Sequence, residues 1–230
     1  MILGKKILAI VPARGGSKGL KLKNLKKIRN KTLVEITANF IKKCKFIDFA
    51  VISTDNKKIA NEGTSKGLYL IKRPKNISGD RIPDVKVLLH AYSKIIKKKN
   101  LFDIIIMLHP TSPLRQKKDV KKAIEFLIKK NFDCVWTLSP TDKKFHPDKQ
   151  LILKNNKIKF FTKKGKNIIA RQQLSNVYHR NSNLYAVRSN HLLKAKSLYG
   201  KKTGAFIIKS KQVSIDTEED IKLVESIFKN

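Results

Sequence analysis

The sequence predicts an α/β fold built on a doubly wound, mostly parallel sheet, and three observations carry that expectation. Short continuous apolar runs recur along the chain, as strands buried on both faces require. Between them lie segments whose apolar residues repeat at helical spacing. The alternation of the two fills most of the 230 residues, which suits one domain spanning 1–230.

The first run is Ile7–Pro12. Helical spacing follows over 34–45, with Val34, Ala38 and Ile41 on one face. Phe49–Ile52 reads as a second strand ending in Ser53-Thr54-Asp55. A helix over 56–66 leads to a third strand at Leu68–Ile71. Pro83 suits a first helical position, and Val85, Leu88, Leu89, Tyr92, Ile95 and Ile96 follow at a helical period. Phe102–Leu108 is the most apolar stretch and predicts a central strand. A helix over 117–130 buries Val120, Ile124, Leu127 and Ile128, and Cys134–Leu138 is the next strand.

The rhythm fails between 140 and 182. Short alternating pieces there, Leu151–Leu153 and Ile158–Phe161, predict a β-hairpin excursion from the main sheet. It resumes with a strand at Leu184–Val187, a short helix over 190–197 and strands at 205–208 and 213–215. Thr217 as cap, with Glu218, Glu219 and Asp220 in the first turn, starts a last helix that buries Ile221, Val224 and Ile227.

Charge is the unusual bulk feature: 52 Lys and Arg against 17 Asp and Glu, a formal net +35. One reading is a basic nucleic-acid-binding module. The other is a lysine-rich set of solvated faces. The second is favoured, because lysines occur in nearly every predicted helix and loop. No RNA-binding aromatic motif, zinc-finger spacing or basic zipper is present. Nucleic acid is therefore not expected as a partner, although a positive field would gather an anionic substrate. Cys44 and Cys134 have no metal-like spacing and read as buried thiols in a reducing cytosol. The apolar run after Lys5 and Lys6 breaks at Pro12, too soon for a signal peptide. No run is long enough for a membrane helix, so a cytoplasmic protein with no membrane partner is expected.

Chemistry concentrates in the loop after the first strand, Pro12-Ala13-Arg14-Gly15-Gly16-Ser17-Lys18-Gly19-Leu20-Lys21-Leu22-Lys23-Asn24. In an open α/β sheet, ligands bind beyond the C-terminal strand ends. Glycines there let backbone N–H groups approach phosphate oxygens, and Arg14, Lys18 and Lys23 add fixed positive charge. The loop is neither a GxxxxGK[ST] nor a GxGxxG motif. Its glycines and cations alone leave an ordinary solvated turn open. Asp216, placed before the last helix, can reach the sheet edge as a Mg²⁺ ligand, or serve as an acidic cap. Thr111-Ser112-Pro113 reads as a helix-entry turn that also brings hydroxyls to that edge, and His146 as a turn histidine.

The full string from Arg14 to Asn24 closely resembles the ARxxSKGLxxKN signature of the CMP-sialic acid synthetases (acylneuraminate cytidylyltransferases). The resemblance runs on in order through Ser53-Thr54-Asp55, Arg73-Pro74, Ser78-Gly79-Asp80, His109–Arg115, Arg171-Gln172, Arg180-Asn181 and Ile215–Glu218. It implies a Rossmann-like nucleotidyltransferase with a β-hairpin dimerisation excursion at 140–182. The implied reaction takes CTP and an acidic 2-keto-3-deoxy sugar of the sialic, legionaminic or pseudaminic type to a CMP-sugar and pyrophosphate. Mg²⁺, with Mn²⁺ as an alternative, would be held by Asp216, and the enzyme would be a homodimer.

The resemblance assigns catalysis to Arg14, Lys18, Lys23 and Asp216. It assigns nucleotide binding to Ala13, Arg14, Gly15, Ser17, Asn24, Ser78, Asp80, Pro110, Thr111 and Ser112, and the acidic sugar to Arg171, Gln172, Arg180 and Asn181. A bidentate arginine suits a sugar carboxylate, but each of these last residues taken alone fits a surface role equally. Three departures stand out. Ser214 replaces a usual aspartate, His109 a usual glutamine, and Ser182-Asn183 a small Gly-Ala pair. Another sugar-nucleotide transferase of the same fold is the alternative within enzymes.

Overall fold

The computed structural model describes residues 1–96 and 101–229. Strand β1 (Ile7–Pro12) leads through a small ribbon, β2 (Lys27–Ile28) and β3 (Lys31–Thr32), into α1 (Leu33–Lys43). There follow β4 (Phe49–Thr54), α2 (Lys57–Ser65), β5 (Tyr69–Lys72), α3 (Asp84–Ile96), β6 (Ile104–Met107) and α4 (Lys117–Lys129). The second half holds β7 (Cys134–Pro140), β8 (Leu151–Lys154), β9 (Lys157–Phe160), β10 (Tyr178–Arg188), α5 (Ser189–Ala195), β11 (Thr203–Ile207) and α6 (Glu218–Lys229).

Seven strands form one sheet in the order β11-β7-β10-β6-β1-β4-β5. Every neighbouring pair is parallel except those of β10, which runs antiparallel to both β6 and β7. The apolar runs are continuous because both faces are covered. Ile7, Ala9 and Val11 of β1 and Ile104 and Ile106 of β6 pack with α1, α2 and α4. Leu8, Ile10, Ile105 and Met107 point the other way, against α3 and α5. Each of the Ile, Leu, Val and Met side chains among them, fully buried, contributes about 1.5–3 kcal/mol. A third cluster of Leu20, Ile28, Leu33, Ile215, Ile221 and Val224 seats α6 against the small ribbon.

Helix starts follow their caps. Thr32 Oγ1 accepts from Glu35 N, and Asn56 Oδ1 accepts from Lys58 N and Ile59 N. At α6, Asp220 N donates to Thr217 Oγ1, while Asp220 Oδ2 accepts from Thr217 N. That is the reciprocal cap expected from the acidic first turn. Pro83 lies one residue outside α3 instead of opening it.

Two strand expectations change. β10 begins at Tyr178, well before Leu184, because its first half is polar and carries a bulge between Arg180 and Tyr185 with Ser182 at φ 53°. Residues 213–215 are not a strand; Ile215 N donates to Thr111 O, and no sheet neighbour extends the pairing. The excursion is a hairpin as expected. Among the described residues β8 and β9 pair only with each other, around Asn155-Asn156, both at positive φ. Leu151, Leu153, Ile158, Phe160 and Phe161 are exposed on it. Among the described residues no helix is long and apolar enough to cross a membrane.

Candidate active site

The C-terminal ends of β1 and β6 open into a cavity of about 430 Å³. The loop after β1 lines it with Arg14, Ser17, Lys18, Lys23 and Asn24. Asp80, from the segment before α3, and Asp84, the first residue of α3, face these, with His109, Pro110 and Thr111 after β6, and Asp216 closes the rim. The loop is held to a fixed shape. Asn24 Nδ2 donates to Arg14 O at 2.9 Å, Gly15 N to Asp55 Oδ1 at 2.9 Å, and Ala13 N to Ser53 O at 3.0 Å. Gly15 is needed by close approach: a Cβ there would stand 2.8 Å from Asn56 Cβ.

The cations of this cradle are already paired. Asp80 bridges Arg14 and Lys18, the latter at 2.9 Å, and Asp216 Oδ1 is 2.7 Å from Lys23 Nζ. Hydrogen bonds from Lys18 and Arg14 hold the Asp80 carboxyl below the usual carboxylate range. These carboxylate oxygens sit where phosphate oxygens would meet the same cations. Arg73, at the buried end of the cavity, donates Nη2 to Ser53 O, and burial lowers its pKa. Burial also lowers the His109 pKa, outweighing the opposing Asp84 carboxylate 3.7 Å from its Nε2.

A buried polar scaffold fixes the far wall. Ser112 Oγ donates to Ser182 O at 3.0 Å. Arg115 Nε donates to Asn183 O at 2.7 Å, and its Nη2 to His109 O at 2.8 Å. Thr137 Oγ1 donates to Asn181 Oδ1 at 2.7 Å, and Asn181 Nδ2 donates to Ser139 Oγ at 3.0 Å. Ser112 and Asn181, expected at the nucleotide and the sugar, are therefore engaged with the β10 bulge, and neither lines this cavity or the one beside it. A buried amide left unpaired would cost about 1–3 kcal/mol.

Of the other expected residues, Ala13 is buried beneath the loop, and Gly15 turns it without lining the cavity. Ser78 Oγ donates back to Pro74 O, so Gly79 and Asp80 face the cavity in its place. Arg171 and Gln172 lie exposed on a 3₁₀ turn of the excursion and do not line it. Arg180 lines a second cavity of about 440 Å³, with its guanidinium 5.8 Å from the Trp136 ring centre. Tyr185 and Tyr199 complete that wall, and Ile82 and Asp84 line both cavities. Arg73, Asp84, Trp136 and Tyr185 were not expected as site residues. Arg73 stands in the Arg73-Pro74 motif without having been given a role, and the other three come from separate elements, α3, β7 and β10, with no contiguous pattern to mark them.

Among the described residues no group of three or more His, Cys, Asp or Glu side chains could hold a metal ion. Asp216 alone supplies the expected carboxylate, and Ser214 beside it is exposed. Mg²⁺ takes few protein carboxylates and completes its shell with phosphates and water, so this donor set fits an ion held jointly with a triphosphate.

The sequence profile of the cytidylyltransferase family matches residues 8–230. Post-translational flagellin modification protein B of Campylobacter coli is 32% identical over 227 residues, covering 97% of this chain and 95% of that protein. CMP-N,N'-diacetyllegionaminic acid synthase of Campylobacter jejuni is 32% identical over 226 residues, covering 96% and 94%. Among solved structures, CMP:2-keto-3-deoxy-manno-octonic acid synthetase complexed with CTP superposes with a TM-score of 0.73 at 14% identity. That match covers 97% of this chain and 98% of the other, and it shows the shared fold.

Proposed function

The chain belongs to the cytidylyltransferase family, and from that premise we propose that it transfers CMP from CTP to an acidic 2-keto-3-deoxy sugar, releasing pyrophosphate. One observation carries this reading: a single cavity gathers Arg14, Lys18 and Lys23 at the end of β1, with Asp216 on its rim. Those cations hold the triphosphate and offset charge building on the departing pyrophosphate. Asp80 gives up Arg14 and Lys18 as the phosphates arrive. Asp216, with the triphosphate, would hold Mg²⁺, or Mn²⁺, and the ion would supply Lewis-acid polarisation of the phosphoryl oxygens.

The second cavity, adjoining at Asp84, receives the sugar. Arg180 there suits its carboxylate, and Trp136 and Tyr185 suit the faces of its ring. Arg171 and Gln172 sit on the excursion, so they approach a sugar only from a second subunit. The exposed Leu153, Ile158 and Phe160 of that excursion support a homodimer formed through residues 140–182. The reaction consumes a cytosolic nucleotide, which supports a cytoplasmic location.

The test is pyrophosphate release from CTP and Mg²⁺ with N-acetylneuraminate, legionaminate, pseudaminate and 3-deoxy-manno-octulosonate in turn. Release with one of them is expected, together with a CTP-induced rise in melting temperature. A folded protein silent across the panel, and stabilised by another triphosphate instead, would point to a different sugar-nucleotide transferase. Salt-sensitive RNA or DNA binding without a CTP response would restore the nucleic-acid reading.

A further inference from the structure

His109 stands where the two cavities meet. It lines the cradle, while Asp84 beside it lines both cavities. Its ring meets Tyr185, a residue of the second cavity, edge-on at 6.0 Å and 85°. Its backbone is pinned, because the buried Arg115 donates to His109 O and is itself anchored to Asn183 O. A sugar in the second cavity that reaches toward a triphosphate in the first passes this imidazole.

We propose that His109 is the general base that takes the proton of the attacking sugar hydroxyl, and that Asp84 is its positioning residue. The inference rests on the transfer reaction proposed above. In that step the hydroxyl oxygen bonds to the α-phosphorus and its proton moves to an imidazole nitrogen. The bond from the α-phosphorus to the bridging oxygen breaks, and its electron pair leaves with pyrophosphate. The imidazolium then returns the proton to solvent. The other groups along the cradle are poorly placed for this task. Arg14, Lys18 and Lys23 are cations, and Asp80 and Asp216 lie against those cations and do not line the second cavity.

Four charged groups face the imidazole besides Tyr185. Asp84 favours its protonation, while Arg115, Lys23 and Arg73 oppose it, as does burial. The balance keeps it unprotonated at neutral pH, the form a base needs. Its Nε2 lies 3.7 Å from Asp84 Oδ2, within reach of a contact that tightens when substrate binds.

The experiment measures kcat against pH, and CTP affinity by calorimetry, for the wild type, His109→Gln and Asp84→Asn. His109→Gln should lower kcat by about 10²- to 10⁴-fold, the usual worth of a general base, and abolish the acid limb of the profile. CTP affinity should hold within about threefold. Asp84→Asn removes a charge that raises the imidazole pKa, so the acid limb should move to lower pH with a smaller loss of rate. An unchanged acid limb in His109→Gln would overturn the assignment, and so would a loss of CTP affinity that matches the loss of rate. If His109→Gln does not fold, an acid limb that Asp84→Asn leaves in place overturns it as well. A wild type that binds CTP yet releases no pyrophosphate with any acidic sugar overturns the underlying reaction, an outcome distinct from an active wild type with an indifferent His109.

Discussion

The loop after β1 and the hairpin of β8 and β9 are both excursions from the same sheet, yet they solve opposite problems. The loop is polar and basic, but its backbone is tied down by Asn24, Asp55 and Ser53. The hairpin carries aliphatic and aromatic side chains, and its strands pair with nothing but each other. The charges proposed to meet a ligand stand on a tied backbone, whereas apolar groups that would normally be buried are left outside. A region can thus be fully built within one chain or, in the proposed homodimer, left for a second subunit to complete.

That contrast can be broken at several points. Arg14→Ala or Lys23→Ala should cost about 10²- to 10³-fold in kcat/KM for pyrophosphate release while leaving the melting temperature nearly unchanged. A loss confined to the melting temperature would make these cations structural. Phe160→Asp on the hairpin should weaken dimerisation by roughly 10- to 100-fold, the scale of one lost buried aromatic. Sedimentation would show it, and a wild type that is monomeric at every concentration would end the idea. Thr137→Val removes the hydroxyl shared by Asn181 and Leu184 N, and should cost about 1–3 kcal/mol in urea unfolding. The smallest effect is expected from Asp80→Asn. Freeing Arg14 and Lys18 should tighten CTP binding by roughly two- to fivefold, the scale of an exposed ion pair. Weaker binding would instead make Asp80 a direct contributor to the nucleotide site.

The sheet was legible wherever burial on both faces forces unbroken apolar runs, as in β1 and β6. Cys44 and Cys134 are buried free thiols as read, and burial pushes them up to about 11 and about 12. The first half of β10 stayed hidden because Tyr178–Asn183 is polar, its asparagines serving a bulge. Val213–Ile215 mimics a strand because one buried isoleucine in an extended loop alternates as a strand does. At the site, the cradle was legible because its glycines and cations are contiguous. Ser112 and Asn181 illustrate why the rest is hard to read: a hydroxyl or amide that binds a ligand is the same residue type as one that satisfies a bulge, as these two do. Arg73, Asp84 and Tyr185 come together only through the fold.

The antiparallel strand β10 has a consequence for the order in which the molecule assembles. β7 is synthesised before it, yet β7 reaches β6 only through β10. As the chain leaves the ribosome, the β5-β4-β1-β6 half can close as soon as β6 emerges. β7 must wait, unpaired on that side, until residues 178–188 arrive and insert between the two halves. The intervening segment is then the loop whose closure sets the pace of this late step, and its entropic cost grows only slowly with length. The same segment that carries the exposed hairpin can therefore vary in length and sequence among relatives at modest cost to folding, provided that β10 still finds its slot.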